Sequence, residues 1–263
     1  MNNDTSIGVR GLSLLFPRGK RPEVAAIRAL AEKDGSFSVS HDSEDRLRES
    51  VQALAEPAGD NQRRWVELLI NGLTFDLTGV GNGPARAGPD CAYRFDIPDD
   101  LDLNGLEAVS LYPGPHLAGG ERIEPVVQTM TRLAARLCSL ESLVAVVWHP
   151  ARSCMGPNYF TQIVSNWTKG GVFPARGFVG LGMSPDGGMQ SEGAAFFVGQ
   201  EVRVEPELAD DQAVAAKIAA RLIDFLIENG PLAKADEIVG PEARKLRIAP
   251  SANQRFVRVW GGG

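Results

Sequence analysis

Short apolar runs bounded by proline and glycine, mixed with a few one-sided helical stripes, set the pattern of this chain. Ile7 to Phe16 is mostly apolar and stops at Pro17, which predicts a buried strand. Val24, Ile27, Leu30 and Ala31 then form a stripe behind Pro22, and Gly35 is a natural helix stop. A short strand at Phe37 to Val39 and a helix opened by Asp42 or Ser43, with Leu47, Val51 and Leu54 on one face, are expected next. Trp65 to Ile70 and Leu73 to Leu77 flank Asn71-Gly72. Both turn residues tolerate positive φ, so this predicts a tight hairpin.

Gly79 to Asp90 is dense in glycine and proline and reads as a connection rather than an element. Beyond it the order of elements recurs. Leu106 to Tyr112 is a strand stopped by Pro113. Arg122 to Cys138 is a helix with Ile123, Val126, Val127, Met130, Leu133, Ala134 and Leu137 on one side. Leu143 to Trp148 is a central strand, Asn158 to Thr168 a helix, and Phe178 to Met183 and Ala194 to Val198 are strands around the turn Pro185-Asp186-Gly187-Gly188. Val202 and Val204 mark a half-buried strand between Glu201 and Glu205. Asp210 and Asp211 open the clearest helix, which buries Val214, Ile218, Leu222, Phe225 and Leu226 and ends at Gly230-Pro231. Short strands near Leu246 to Ile248 and Phe256 to Trp260 complete the reading. Strands that both interleave with helices and pair in hairpins predict an α+β fold with mixed sheets and helices packed on them. The order suggests two pseudo-repeated β-α-β-α-β-β halves: residues 1–80, a connection over 81–90, and residues 91–263. One compact domain is the alternative.

Composition adds boundaries. With 33 acidic and 27 basic residues and a formal charge of -6, the chain lacks the clustered Lys and Arg that a broad nucleic-acid surface needs. Three cysteines make no disulfide framework, and three histidines without metal-ligand spacing predict no metal site. No apolar run reaches bilayer length, and the amino-terminal Met-Asn-Asn-Asp-Thr-Ser lacks the basic start and apolar core of a signal peptide. A cytoplasmic protein, off the membrane and without a cofactor, is the expectation.

Three places could carry chemistry. In Trp148-His149-Pro150-Ala151-Arg152-Ser153-Cys154, at the carboxyl end of a central strand, nearby positive charge would lower the pKa of Cys154 and make it a nucleophile beside His149. The simpler reading makes His149 a satisfied ring, Arg152 a loop anchor and Cys154 a small apolar filler. In Tyr112-Pro113-Gly114-Pro115-His116, a loop between strand and helix, His116 could bind an anion or exchange a proton; a rigid connection is the plain alternative. Glu192, Glu201 and Glu205 form a carboxylate set. The even spacing of Glu201 and Glu205 puts them on one side of a strand, although a solvated face explains such charges as well. Trp167 marks either an exposed contact or a ring folded over the core. Phosphate-loop, dinucleotide, zinc, calcium and nucleophile-elbow motifs are absent from the sequence.

Ala145-Val146-Val147-Trp148-His149-Pro150, then Tyr159-Phe160, then Ser191-Glu192-Gly193-Ala194-Ala195-Phe196-Phe197-Val198-Gly199-Gln200-Glu201-Val202 resemble the family known as the domain of unknown function 4261. The resemblance covers roughly residues 105 to 250. It implies an α+β domain, no established activity and no catalytic residue. Two readings follow. The first is an intracellular binding or accessory protein, with a protein partner or a second copy of the chain, using His116, Arg152, Glu192 or Glu201. The second is a small-molecule hydrolase or transferase using Cys154 with His149 or His116.

Overall fold

The computed structural model describes residues 11–43, 65–81 and 83–262, and the chain in it divides into two units. The first comprises residues up to His149 together with Cys154–Gly171. Its strands are β1 (Leu12–Pro17), β2 (Ser38–Asp42), β3 (Trp65–Ile70), β4 (Leu73–Thr78), β5 (Tyr93–Phe95), β6 (Leu106–Pro113), β7 (Ala145–Trp148) and β8 (Ser153–Met155). They form one sheet in the order β2-β3-β4-β6-β1-β7-β8-β5. β1 lies centrally and runs antiparallel to both β6 and β7. That position explains why Leu12, Leu14, Leu15 and Phe16 are all buried: both faces of a central strand are covered.

One face of this sheet carries Phe75, Leu77, Leu111 and Val146. It packs under helices α1 (Val24–Asp34), α2 (Glu124–Leu137) and α3 (Pro157–Thr168). The helical stripes read in the sequence are the buried ones, Ile27 and Ala31 on α1 and Val126, Val127, Met130, Leu133, Ala134 and Leu137 on α2. Ile123 stands outside, at the N-cap, and is 58% exposed. The opposite face is divided. Its apolar part, Leu15, Leu106, Ala108, Ala145, Val147 and Cys154, is covered by Cys91, Ile97 and Leu103. Its polar part lies on β3, β4 and β6. The hairpin between β3 and β4 turns at Asn71 (φ 52) and Gly72 (φ 77), as the Asn-Gly pair requires.

The second unit comprises Pro150–Ser153 and Val172–Gly263. Its strands are β9 (Gly180–Met183), β10 (Met189–Glu192), β11 (Glu201–Val204), β12 (Asp236–Val239), β13 (Lys245–Pro250) and β14 (Phe256–Gly261), in the order β12-β13-β14-β11-β10-β9. β11 and β14 are parallel and the other neighbours antiparallel, so the sheet is mixed. Helix α4 (Ala194–Val198) is short. Helix α5 (Gln212–Asn229) lays Ala215, Ile218, Leu222 and Leu226 on Val202, Val204, Val257 and Val259. The Asp211 carboxylate caps α5 by accepting from the Ala213 and Val214 amides.

The α+β class therefore holds. Four particulars differ from the sequence expectation or fall outside it. Ala194–Val198 is a helix, not a strand; the strand paired with β9 is Met189–Glu192, immediately after the Pro-Asp-Gly-Gly turn. The connectivity lends no support to a recurrence of two β-α-β-α-β-β halves, because β6 and β7 flank β1 within a single sheet. The helix expected behind Asp42 or Ser43 lies outside the described residues. The Gly/Pro-rich stretch 81–90 belongs to the first unit, where Ala108 donates to the Arg86 carbonyl.

Candidate functional site

Alternation along β4 places Phe75 and Leu77 in the core and Thr74, Asp76 and Thr78 on the opposite face. The strand registers extend this polar face sideways. His41 is opposite Glu67, Glu67 opposite Asp76, and Asp76 opposite Tyr112. Directly opposed residues of an antiparallel pair share a face, so these four form one row across β2, β3, β4 and β6. The row continues past Gly11, whose carbonyl accepts from the His149 amide. The Tyr112 ring lies over Gly11, where a Cβ would stand 2.5 Å from the ring, and its centroid is 5.9 Å from that of His149. Glycine at position 11 is thus what lets Tyr112 reach toward His149.

A second row runs alongside, with Thr78 opposite Ser110 and Ser110 opposite Ser13. The Ser13 hydroxyl is 2.8 Å from both the Ser110 hydroxyl and His149 Nε2. Ser13 is only 1% exposed, so this hydrogen-bonded set holds His149 in place and does not present a nucleophile. At the other side of the row, Nε2 of His116 lies 2.7 Å from the Thr74 hydroxyl. Trp65 packs against His41 with 5.1 Å between ring centroids.

Asp76 is the exceptional member. Its Oδ1 is buried and meets no hydrogen-bond donor. Burial and the facing Glu67 push its carboxyl above the ordinary range, and His116 pulls it back only in part. Glu67 takes a hydrogen bond from the Ser40 hydroxyl. Two carboxylates on adjacent strands, one lacking a donor, form an acceptor site that a hydrogen-bond-donating cation would satisfy.

The residues singled out in the sequence fall in different places. Cys154 is wholly buried in the apolar part of the sheet face, and its thiol pairs with that of Cys91. That pairing and burial raise its pKa, the reverse of the lowering expected from nearby positive charge, even though Arg94 acts the other way. A nucleophilic thiolate needs the opposite environment. His149 Nε2 meanwhile goes to Ser13. His116 joins Asp76 at the polar row and is the expected residue that the structure brings to it together with His149.

Arg152, Glu192 and Glu201 belong to the second unit. Arg152 adopts φ 47 and makes a two-point pair with Glu192, Nε to Oε1 at 2.6 Å and Nη2 to Oε2 at 3.0 Å. The Glu201 carboxylate accepts from the amides of Gly193, Ala194 and Ala195 at 2.8–3.1 Å and from the Ser191 hydroxyl at 2.5 Å. It fills the amino end of α4 with the protein's own anion. Burial nevertheless raises its carboxyl above the ordinary value, outweighing these donors. Glu205 lies just beyond β11 and takes Arg258 Nε at 2.5 Å and Arg203 Nε at 3.4 Å, so the two glutamates have separate duties. Trp167 is 4% exposed, a ring within the core.

Asp76 and Glu67 were not among the candidates read from the sequence, and Tyr112 entered only as the first residue of the segment that carries His116. The local signal for Asp76 is the Thr-Phe-Asp-Leu-Thr alternation of β4. Among the described residues no group of three or more His, Cys, Asp or Glu is arranged to hold a metal ion, and no helix is long and apolar enough to cross a membrane. Comparison of the chain with protein families, with curated proteins and with solved structures finds no match.

Proposed function

We propose that the protein acts by binding, and that the row His41–Glu67–Asp76–Tyr112 on the first unit's sheet receives a basic side chain, lysine or arginine, of a protein partner. The observation that carries this reading is the Asp76 carboxylate, with a buried oxygen that has no donor and a second carboxylate facing it. Buried acceptors are ordinarily satisfied, and leaving one unmade costs free energy that an arriving guanidinium or ammonium recovers. Arginine matches the site best, because its planar fork donates to two carboxylates at once and stacks on rings such as those of Tyr112 and Trp65. The chain's net charge of -6 draws basic partners toward it over longer range. The resemblance to the domain of unknown function 4261 adds no site residue to this reading.

The test is a heteronuclear NMR titration of the full chain with Nα-acetyl-arginine amide. Saturable shifts confined to Glu67, Asp76, Tyr112 and their strand neighbours, abolished in Asp76→Asn, are expected. Shifts spread over all acidic surfaces, or unchanged in Asp76→Asn, overturn the proposal.

A further inference from the structure

The apolar part of the first unit's sheet face has a cover made of chain without long elements of its own. Residues 83–105 contain only the three-residue strand β5 and a 3-10 turn at Leu103–Gly105. They are held by the Ala108 amide donating to Arg86, by the Gly88 amide donating to Leu106, and by the packing of Cys91, Ile97 and Leu103 onto Leu15, Leu106, Ala108 and Ala145. Within this packing the cover supplies one cysteine and the sheet supplies another. Cys91 is half-buried, and Cys154 on β8 is fully buried. Their side chains belong to one apolar cluster. The Cys91 thiol also donates to the Pro89 carbonyl at 3.4 Å, which orients it at the edge of the cover.

We propose that Cys91 and Cys154 are a redox-convertible pair, at which a peroxide-class oxidant forms an intramolecular disulfide that ties residues 83–105 to the sheet. The roles follow from access. Cys91 is the more exposed of the two, half-buried where Cys154 is fully buried. Its sulfur attacks one peroxide oxygen, the O–O bond breaks, and the products are a Cys91 sulfenic acid and water. The Cys154 sulfur then attacks the Cys91 sulfur; the S–O bond breaks, and the departing hydroxide takes the Cys154 proton as a second water. Two thiols and one hydrogen peroxide give one disulfide and two waters. Cys154 reaches this second step by position: it packs in the same apolar cluster as Cys91, so the sulfenic acid forms beside it. Cys138 stands apart, bonded to Thr161, with burial pushing its thiol up to about 12, and serves as an internal control.

The bridge would close a loop of about sixty residues, and the restriction a cross-link places on the unfolded chain grows with the length of the loop it closes. The pair acts independently of binding at Asp76. The test treats the full chain with hydrogen peroxide, blocks remaining thiols with N-ethylmaleimide, and maps peptides by mass spectrometry. The expected result is an intact mass lower by two hydrogens before blocking, a Cys91–Cys154 peptide, an alkylated Cys138, and a melting temperature raised by roughly 5 °C or more. Dithiothreitol should reverse both changes, and neither should occur in Cys91→Ser or in Cys154→Ala, a pair chosen so that one folded variant suffices. Over-oxidation of Cys91 with Cys154 still alkylatable, a bridge through Cys138 or between chains, or a bridge without a shift in melting temperature overturns the proposal.

Discussion

Asp76→Asn isolates the central feature of the candidate site, because it removes the charge while keeping the side chain's size. In the wild type the ionised carboxylate is partly buried, lacks a donor at Oδ1 and faces Glu67 across the β3–β4 pair. Directly opposed Cβ atoms are about 5 Å apart, so the two charges sit about 6 Å apart. At an effective dielectric constant between about 40 and 80, their repulsion is roughly 0.7–1.4 kcal/mol. Asp76 as a residue is only half-buried, so about half of that survives screening. Desolvation adds a similar amount, and His116 returns part of it. The variant should therefore be more stable than the wild type by about 0.5–1 kcal/mol near pH 7.

The pH dependence fixes the sign. The folded-state pKa of Asp76 is raised, so protonation favours the fold, and wild-type stability grows as pH falls through that value. The advantage of Asp76→Asn is then fully present above the folded pKa and vanishes as pH falls below the unfolded value, about 3.9. Urea unfolding followed by tryptophan fluorescence suits the measurement, since Trp65, Trp148 and Trp167 all lie in the first unit. A variant that is equally or less stable near pH 7, or whose advantage persists near pH 3, refutes the reasoning. A gain in stability with loss of arginine binding is the signature of a group kept for function.

Other substitutions test the surrounding architecture. Glu201→Gln turns an amide NH2 toward the backbone donors at the start of α4 and should cost about 2–3 kcal/mol near pH 7, read by urea unfolding monitored in the second unit. A loss below about 0.5 kcal/mol would show that the carboxylate does not hold this turn. Gly11→Ala would place a Cβ 2.4 Å from the Leu111 carbonyl oxygen and 2.5 Å from the Tyr112 ring. It should destabilise the first unit by about 1–3 kcal/mol and shift the Tyr112 ring resonances, checked by unfolding and aromatic NMR; unchanged resonances would contradict the close approach.

Local order was legible wherever one chemical signal dominated. Asn71-Gly72 located the β3–β4 hairpin, and the apolar stripes of α2 and α5 identified their buried faces because helical spacing is a property of one segment. Ala194–Val198 was misread because a five-residue apolar run fits either structure. It is a helix because Gly193 and Gly199 take φ 104 and 78 and because Glu201 caps the run from outside. The polar row was out of reach for a related reason. Glu67 and Asp76 are hairpin neighbours, but Tyr112, Gly11 and His149 arrive from strands far apart in the chain. At Cys154 the reading as an apolar filler agrees with its full burial, whereas closeness in sequence does not pair it with His149: Cys91, about sixty residues earlier, packs against its cluster, and His149, only five residues away, turns to Ser13.

The most direct test of the binding account is the carboxyl pKa of Asp76, measured by carbon-13 NMR with and without saturating Nα-acetyl-arginine amide. The account predicts a value above the ordinary aspartate range in the free protein and a fall below it when the guanidinium is bound, since an adjacent cation favours the ionised form. An Asp76 that titrates at or below the ordinary value alone, or that does not respond to arginine, would contradict it.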